Sequence, residues 1–473
     1  MQRSLIRSTW LLASVLGCTV GPNYERPVVE APSSYRIPEP PEAPEAAAAP
    51  RITAETTSLG ERPLAQVFTD PALRQLIATA LGNNYDMQLA GNRVLAAGAQ
   101  LGIARTATLP LITADVGSRA DRARFGGSGD PVTGGLFEVG LGVSWEIDFW
   151  GKFRRGTEAA RAQLLASEWG RRALSTTLTS QVATLYYGLR GLDEQLEIAR
   201  RTLASRQESL RLTQVRETGG AGSLVDVRQA EQLVFGASAQ IVDLGRLVTL
   251  QENALCTLLG RDPAPVARGL AITEQPRVLD VPTGLPSRLL ERRPDIRQAE
   301  QRLVAANAEI GVAKAVYFPN ISLTGSGGVA SAALSTLFSG PALVWSLAAN
   351  LVEPLFPVER LEAEIDVAEL GKEAAVIEYR QAIQQAFREV SDALVNYQRG
   401  REFRQIQEAL LGSAREARRL ADLRYQGGAT SYLEVLDSDT RLFVAELGLV
   451  RAELSELSAY VDIYRALGGG FEG

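Results

Sequence analysis

The residue types that most often carry chemistry are scarce in this sequence. Its 473 residues include no histidine and two cysteines, Cys18 and Cys256. A Ser-His-Asp triad, a histidine-ligated zinc or haem and a histidine general base are therefore excluded, and two distant cysteines cannot build a disulfide framework. Glu146 and Asp148 share one face of a predicted strand, as a pair of catalytic carboxylates would, but no companion motif accompanies them. We interpret them as solvated groups and predict that the protein is not an enzyme.

Nucleotides and nucleic acids are not indicated as ligands either. The sequence has no GxxxxGK[ST] loop and no strand-linked GxGxxG, and the glycines from Gly468 to Gly470 follow a helix, as glycines commonly do. The net charge is −6, so electrostatic capture of nucleic acid is not expected. The sequence contains no run of about 18 consecutive apolar residues, so it does not indicate an ordinary transmembrane helix.

The N-terminal sequence predicts export. Two arginines and a short apolar stretch precede Gly17 and Cys18, which is the pattern of a signal peptide covering residues 1–17. A frayed N-terminal helix is the alternative. The following residues, 18–70, are predicted to be a proline-rich N-terminal segment. Nine of the 22 prolines fall within 22–63, and this stretch, which includes PEPPEAPEAAAAP (38–50), should be extended and poorly packed.

Two proline-free regions carry coiled-coil patterns. No proline occurs from Val132 to Asp262 or from Val358 to the C-terminus, and proline is the residue that most often interrupts a helix. In each region apolar residues recur at alternating spacings of 4 and 3 in two runs, and a glycine-rich turn separates the runs, at 219–223 and at 427–428. The spacing predicts two antiparallel helical hairpins, with arms of roughly 40 to 65 residues that are about 60 to 100 Å long.

The chain is predicted to be an internal duplication. With a shift of 209 residues, 81–110 and 290–319 share 10 identities in 30 positions without a gap. With a shift of 208, the two helical turns also align. We therefore expect two repeats of the same fold, residues 71–262 and 263–473.

Each repeat also carries a predicted β-hairpin ahead of its long helices, at about 109–150 and about 319–354. The stretch 137–149 alternates strictly between apolar or aromatic residues and small or acidic ones. This pattern fits a soluble sandwich and a membrane barrel equally well. Four strands cannot close a barrel with a lumen, and open edges are not tolerated in lipid. Either the strands form a small soluble sheet, or several chains pool them, and three chains would supply twelve strands.

Five stretches spread over the chain together form a family signature. They are CTVGPNYERP (18–27), WEIDFWGKFRR (145–155), LPSRLLERRPDIRQAEQRLVAANAEIGVAKAVYFPNISL (285–323), AFREVSDAL (386–394) and YRALGGGF (464–471). In these stretches the sequence resembles the TolC-like outer-membrane factors, the outer-membrane lipoprotein channels of tripartite efflux systems (the OprM-like, NodT branch).

The resemblance implies a fold class: a mainly α protein with a membrane β-barrel portion. A duplicated, ββαα-type protomer would form a homotrimer, whose 12-stranded β-barrel is continuous with a long periplasmic α-helical barrel. It further implies a passive outer-membrane duct for drugs or other small molecules, with a periplasmic adaptor and an inner-membrane pump as partners. The duct would need no cofactor, and Cys18 would carry a covalent lipid. The alternative is a periplasmic coiled-coil scaffold without a pore.

The resemblance also places a gate at the periplasmic tips of the helical hairpins. Carried over by position, Leu433, Glu434 and Asp437 match the constriction in the second repeat, Asp226 matches that in the first, and Tyr425 matches an aromatic residue of the gating network. Independently of the family, each acidic position in a trimer becomes a ring of three carboxylates, which attracts cations. The alternative is an ordinary acidic helix end, which is favourable near a helix N-terminus, and the heptad position of Leu433 fits core packing equally well.

Overall fold

The structure is a computed structural model, and it describes residues 19–29, 32, 34–36, 51–53, 58–123, 132–276, 280–284 and 286–470. The predicted signal peptide and Cys18 lie outside the described residues.

The described residues form strands and helices in an order that recurs along the chain. The strands are β1 (Arg51–Thr53), β2 (Leu111–Ala123), β3 (Val132–Glu146), β4 (Asp280–Pro282), β5 (Asn320–Ser331) and β6 (Leu343–Val352). The helices are α1 (Leu64–Val67), α2 (Pro71–Asn83), α3 (Tyr85–Thr106), α4 (Lys152–Thr218), α5 (Leu224–Leu258), α6 (Pro286–Arg292), α7 (Pro294–Val316), α8 (Val358–Gln426) and α9 (Tyr432–Ala466). Four short 3-10 turns accompany them, at Leu59–Glu61, Ile272–Glu274, Leu334–Thr336 and Gly340–Ala342.

The chain divides into two compact units, and each unit takes segments from both predicted repeats. One comprises Met1–Val29, Arg93–Glu168 and Gln298–Arg380, and the other comprises Glu30–Asn92, Trp169–Arg297 and Gln381–Gly473. The first unit therefore contains β2, β3, β5 and β6, and the second contains the turns at the far ends of the long helices.

The first unit is built on an antiparallel sheet with the strand order β2-β3-β5-β6. The register pairs Leu111 with Ser144 between β2 and β3, and Asn320 with Val352 between β5 and β6. The two predicted hairpins are thus joined through β3 and β5 into one sheet, and β2 and β6 are its edges.

The predicted strand 137–149 ends earlier than its alternation suggests, at Glu146. The carboxylate of Asp148 accepts hydrogen bonds from the backbone N–H groups of Phe153 (3.1 Å) and Arg154 (2.9 Å), in the first turn of α4. Glu146 instead pairs with Lys152 at 3.1 Å. Our interpretation of Asp148 as a solvated group on the strand face is therefore wrong, because Asp148 satisfies backbone donors at a helix start.

The N-terminal residues of the proline-rich segment are better packed than predicted. They form no helix or strand, but the backbone N–H of Val20 donates to the carbonyl of Trp150 at 3.0 Å. Arg155 donates to the side-chain oxygen of Asn23 at 2.9 Å, and Asn307 donates to the carbonyl of Pro22 at 2.9 Å. Side chains of α4 and α7 thus hold this stretch in place within the first unit.

The long helices form the two predicted hairpins, with unequal arms. Helices α4 and α8 have 67 and 69 residues, and the return helices α5 and α9 have 35 each. Shifting the bounds of α5, 224–258, by 208 gives 432–466, the bounds of α9. Several residues on the heptad spacing are buried, among them Val182, Leu189 and Ala199. A 67-residue helix corresponds to a contour length of about 100 Å.

Among the described residues, one helix is long and apolar enough to cross a membrane by length and composition, namely α5. Only 11% of its most apolar window is buried. Phe235 and Val242, in the middle of this helix, are 70% and 75% exposed. Helix α5 therefore presents an apolar face that its own chain leaves uncovered.

Buried Asp70 joins three segments of the second unit. Its carboxylate accepts hydrogen bonds from the Tyr186 hydroxyl (2.7 Å), the Gln275 amide (3.1 Å) and the backbone N–H groups of Ala72 (2.9 Å) and Leu270 (3.0 Å). Burial alone would raise the pKa of Asp70, but these four hydrogen bonds outweigh it and hold the pKa below its ordinary value.

Candidate functional site at the helical-hairpin tips

Both hairpins turn through the same backbone arrangement, which we call the first tip (219–223) and the second tip (427–431). In the first, the N–H of Ala221 donates to the carbonyl of Arg216 at 2.8 Å, and Gly220 has φ +74°. In the second, the N–H of Ala429 donates to the carbonyl of Arg424 at 2.8 Å, and Gly428 has φ +72°. A glycine at positive φ satisfies the last carbonyls of a helix without a Cβ penalty, so the glycine-rich sequences explain both turns.

At the first tip, the acidic residue caps its own helix. The N–H of Asp226 donates to the Ser223 hydroxyl oxygen at 3.3 Å, and the N–H of Ser223 donates to the Asp226 carboxylate at 3.1 Å. This reciprocal pair is a capping box, which satisfies two otherwise unpaired backbone donors. The geometry at Asp226 is that of an ordinary acidic helix N-terminus.

At the second tip, the matching acidic residue contacts the preceding helix instead. The Glu434 carboxylate lies 3.0 Å from the Arg424 guanidinium at the end of α8 and also accepts a hydrogen bond from the Thr430 hydroxyl. The Ser431 side chain makes no capping hydrogen bond. Glu434 therefore links α8 to α9 across the turn.

Leu433 and Asp437 lie four residues apart on one exposed face of α9. Leu433 is 60% exposed, so the alternative that it belongs to the core of its own chain is wrong. Asp437 pairs with Arg441 at 2.8 Å along the same helix, and both side chains are more than half exposed. The second tip thus presents an apolar and an acidic side chain together on a solvent-facing surface.

Tyr425 lies between three helices behind the second tip. Its ring centroid is 5.3 Å from that of Tyr432 on α9, and the guanidinium of Arg216 on α4 lies 4.5 Å above its ring. Burial raises the pKa of Tyr432, whose phenol thus stays neutral at physiological pH. These aromatic contacts connect the first hairpin to the second.

A buried ion cluster close to the tip was missed by sequence reasoning. Asp439 on α9 lies 2.8 Å from Arg206 on α4 and 3.5 Å from Arg418 on α8. The signal was present, because Asp439 is three residues after buried Leu436 and four before Phe443, on the apolar face of the helix. Within the part of the chain that the structure describes, no group of acidic residues and cysteines has the arrangement of a metal site.

Comparison with known proteins shows which family this chain resembles. The model of the Outer membrane efflux protein family matches the chain twice, at residues 76–261 and 285–469. The chain is 37% identical over 476 residues to the probable efflux pump outer membrane protein TtgC of Pseudomonas putida, covering 100% of this chain and 96% of the relative. It is also 37% identical over 470 residues to the outer membrane protein OprJ of Pseudomonas aeruginosa, covering 98% of this chain and 96% of the relative.

Solved structures of similar proteins lead to the same family. The open-state MtrE outer membrane channel of Neisseria gonorrhoeae has a TM-score of 0.84 and 32% identity, and the match covers 96% of this chain and 99% of that one. The matched structures are trimeric TolC-like channels with a β-barrel and a helical barrel, which confirms the predicted fold class, the outer-membrane location and the efflux-duct function. The alternative of a scaffold without a pore is not favoured. The chain belongs to the outer membrane efflux protein family, whose members are channel proteins.

Proposed function

We propose that this protein is the passive exit duct of a tripartite efflux system. In this proposal it receives drugs or other small molecules from an inner-membrane pump through a periplasmic adaptor and performs no chemistry on them. The names of its relatives support the association with a pump, since TtgC is described as a probable efflux pump component. The absence of histidine and of cofactor-binding motifs agrees with a protein that provides a path.

The observation that carries the proposal is the pair of unpaired sheet edges. Strand β2 has 13 residues and β6 has 10, and among the described residues each pairs on one side only. Unpaired backbone groups cannot face lipid. Pairing β6 of one copy with β2 of the next closes the sheet, and three copies give twelve strands, an even number within the range of outer-membrane barrels.

The exposed residues of the strands support lipid on the outside of this barrel. Trp345 and Leu347 on β6 are 78% and 79% exposed, and Val116 on β2 is 82% exposed. Large apolar side chains in these numbers are unusual on a monomer surface. A bilayer covers them on the strands, and neighbouring copies cover Phe235 and Val242 on α5.

We assign the gate to the second tip. In a trimer, Glu434 and Asp437 form two rings of three carboxylates, with Leu433 as an apolar ring beside them. Their exposure on one face of α9 supports this assignment, as does the contact of Glu434 with α8. Rings of acidic side chains select cations in other channels.

Native mass spectrometry and planar-bilayer recording of the detergent-solubilised protein test the proposal. We expect a mass of three protomers and cation-selective conductance, and Glu434→Ala with Asp437→Ala should raise the conductance. A monomeric, non-conducting protein would contradict the duct. Unchanged conductance and selectivity in the double variant would remove these residues from the gate.

We also propose that Cys18 carries a covalent lipid after removal of residues 1–17. The sequence pattern supports this, and intact-mass measurement tests it. We expect the mature mass plus the mass of attached acyl chains, and a Cys18→Ser variant without them. A wild-type protein that retains residues 1–17, or that has an unmodified Cys18, contradicts the assignment.

A further inference from the structure

One aspartate and two arginines meet in the interior of the helical region, about two helical turns after the second tip. The Asp439 carboxylate lies between Arg206 (2.8 Å) and Arg418 (3.5 Å), and the three side chains are 12%, 6% and 13% exposed. We call these three residues the Arg-Asp-Arg cluster. Its members come from α9, α4 and α8, respectively.

The fourth helix joins the cluster through its backbone. Arg206 donates a second hydrogen bond, at 3.1 Å, to the carbonyl of Leu233 on α5. The Arg206 guanidinium also lies 5.1 Å from the ring of Phe443, and Arg418 pairs with Asp422. All four long helices therefore contact the Arg-Asp-Arg cluster.

Apolar side chains surround the cluster. Ala230, Tyr432, Val435 and Leu436 are buried beside it. Exclusion of water strengthens the attraction between the paired charges, and it makes the removal of one partner costly, because the remaining charge is left buried without compensation. The cluster therefore resists any movement that separates its helices.

The equivalent positions of the two repeats, exchanged between them, do not carry a second set of these residues. A shift of 208 residues places Ala414 opposite Arg206, Leu210 opposite Arg418 and Glu231 opposite Asp439. Glu231 pairs with Arg228 at 2.7 Å, three residues away on the same helix. The second tip is thus tied to the other helices where the first tip makes a local pair.

We infer that Asp439 is a positioning residue for the gate at the second tip. It is two residues from Asp437, about 200° around the helix at 100° per residue, so α9 faces the cluster with one side and presents the acidic gate residues on the other. Widening a bore formed by these helix ends requires α9 to rotate or to move away from α4 and α8. The ion pairs of Asp439 oppose that movement and favour the narrow state of the tip. The inference depends on the proposed gate.

The test is single-channel recording of Asp439→Asn in planar bilayers, with Glu231→Gln as the matched control in the first repeat. We expect the open-to-closed ratio of Asp439→Asn to rise about tenfold, the factor typical of losing one hydrogen-bonded charge contact. The permeability ratio of cations to anions should stay at its wild-type value, because Glu434 and Asp437 are retained. Glu231→Gln should match the wild type in both quantities.

A second variant distinguishes a role in gating from a folding defect. Arg206→Lys keeps the charge but loses the planar fork that reaches both Asp439 and the Leu233 carbonyl, so we expect a smaller rise than for Asp439→Asn. An unchanged open-to-closed ratio in Asp439→Asn overturns the inference, as does an equal rise in Glu231→Gln. Failure to recover any trimer from either cluster variant would show a folding element and also overturn it. A wild-type protein that does not conduct refutes the duct itself, which is a separate result.

Discussion

The first and second tips of this chain share a backbone and differ in the partners of their acidic residues. The glycines Gly220 and Gly428 have nearly the same positive φ, and the same hydrogen bonds close both helices. At the first tip the carboxylate of Asp226 caps its own helix. At the second tip Glu434 reaches Arg424 on the preceding helix.

The two repeats of one duplicated unit therefore differ in the role of their acidic residues. The turn geometry depends on glycines that both repeats keep, whereas the charged positions have diverged. The position of Asp437 is occupied by Gln229 in the first repeat. At these positions the second tip therefore carries two acidic residues where the first carries one, and the acidic member of the Arg-Asp-Arg cluster, Asp439, lies on the helix that follows the second tip. A trimer built from such chains concentrates negative charge at alternate tips.

The largest predicted effect is increased permeability of the outer membrane in cells. Glu434→Ala with Asp437→Ala removes six carboxylates from the proposed trimer and should increase sensitivity to vancomycin, a large hydrophilic antibiotic that an intact outer membrane excludes. The matched double variant Asp226→Ala with Gln229→Ala changes the same positions of the first tip. We expect it to leave the minimal inhibitory concentration near that of the wild type. Equal sensitisation by both variants would remove the functional difference between the tips.

Because the two tips share a backbone conformation, replacing the glycine at positive φ should destabilise both tips equally. Gly220→Ala and Gly428→Ala each force a Cβ into positive φ, which costs about 1–2 kcal/mol. Among the described residues beyond the two chain neighbours, no heavy atom lies within 4 Å of the added Cβ at either glycine, so backbone strain sets the cost. Hydrogen exchange of the flanking helical turns measures it, and we expect similar losses of protection. A loss at one tip alone would contradict the shared geometry.

The smallest predicted effect is a difference in helix capping between the two tips. Ser223→Ala removes a capping hydrogen bond and should destabilise the first turn of α5 by about 1 kcal/mol. Ser431→Ala should change the first turn of α9 very little, since the Ser431 side chain makes no capping bond. Amide exchange in the two turns compares them directly. Comparable deprotection in both variants would mean that the capping difference is not maintained in solution.

Local patterns predicted the elements and the turns. Proline-free heptads predicted both helical hairpins, and the bounds predicted for the two β-hairpins agree with the observed strands to within a few residues. The end of β3 was mispredicted because Asp148 satisfies backbone donors at the start of α4, and this demand outweighs the alternation. The contact of Asp437 with Arg441 is also local, since the two residues are four apart.

Contacts between the repeats were not predictable in the same way. Arg206 and Asp439 are 233 residues apart, and their pairing depends on which helix faces pack together. Asp439 was visible as an acid on an apolar face, but its partners were not. The exposure of Leu433 likewise depends on the rotation of α9, which the heptad spacing alone did not fix.

The reversal potential of single channels under a salt gradient tests whether the second tip gates the channel and selects cations. We expect the wild type to be cation-selective, Asp226→Asn to keep that selectivity, and Glu434→Gln with Asp437→Gln to lose most of it. A double variant with the wild-type reversal potential would show that the second tip does not select cations. Loss of selectivity in Asp226→Asn alone would place the gate at the first tip instead.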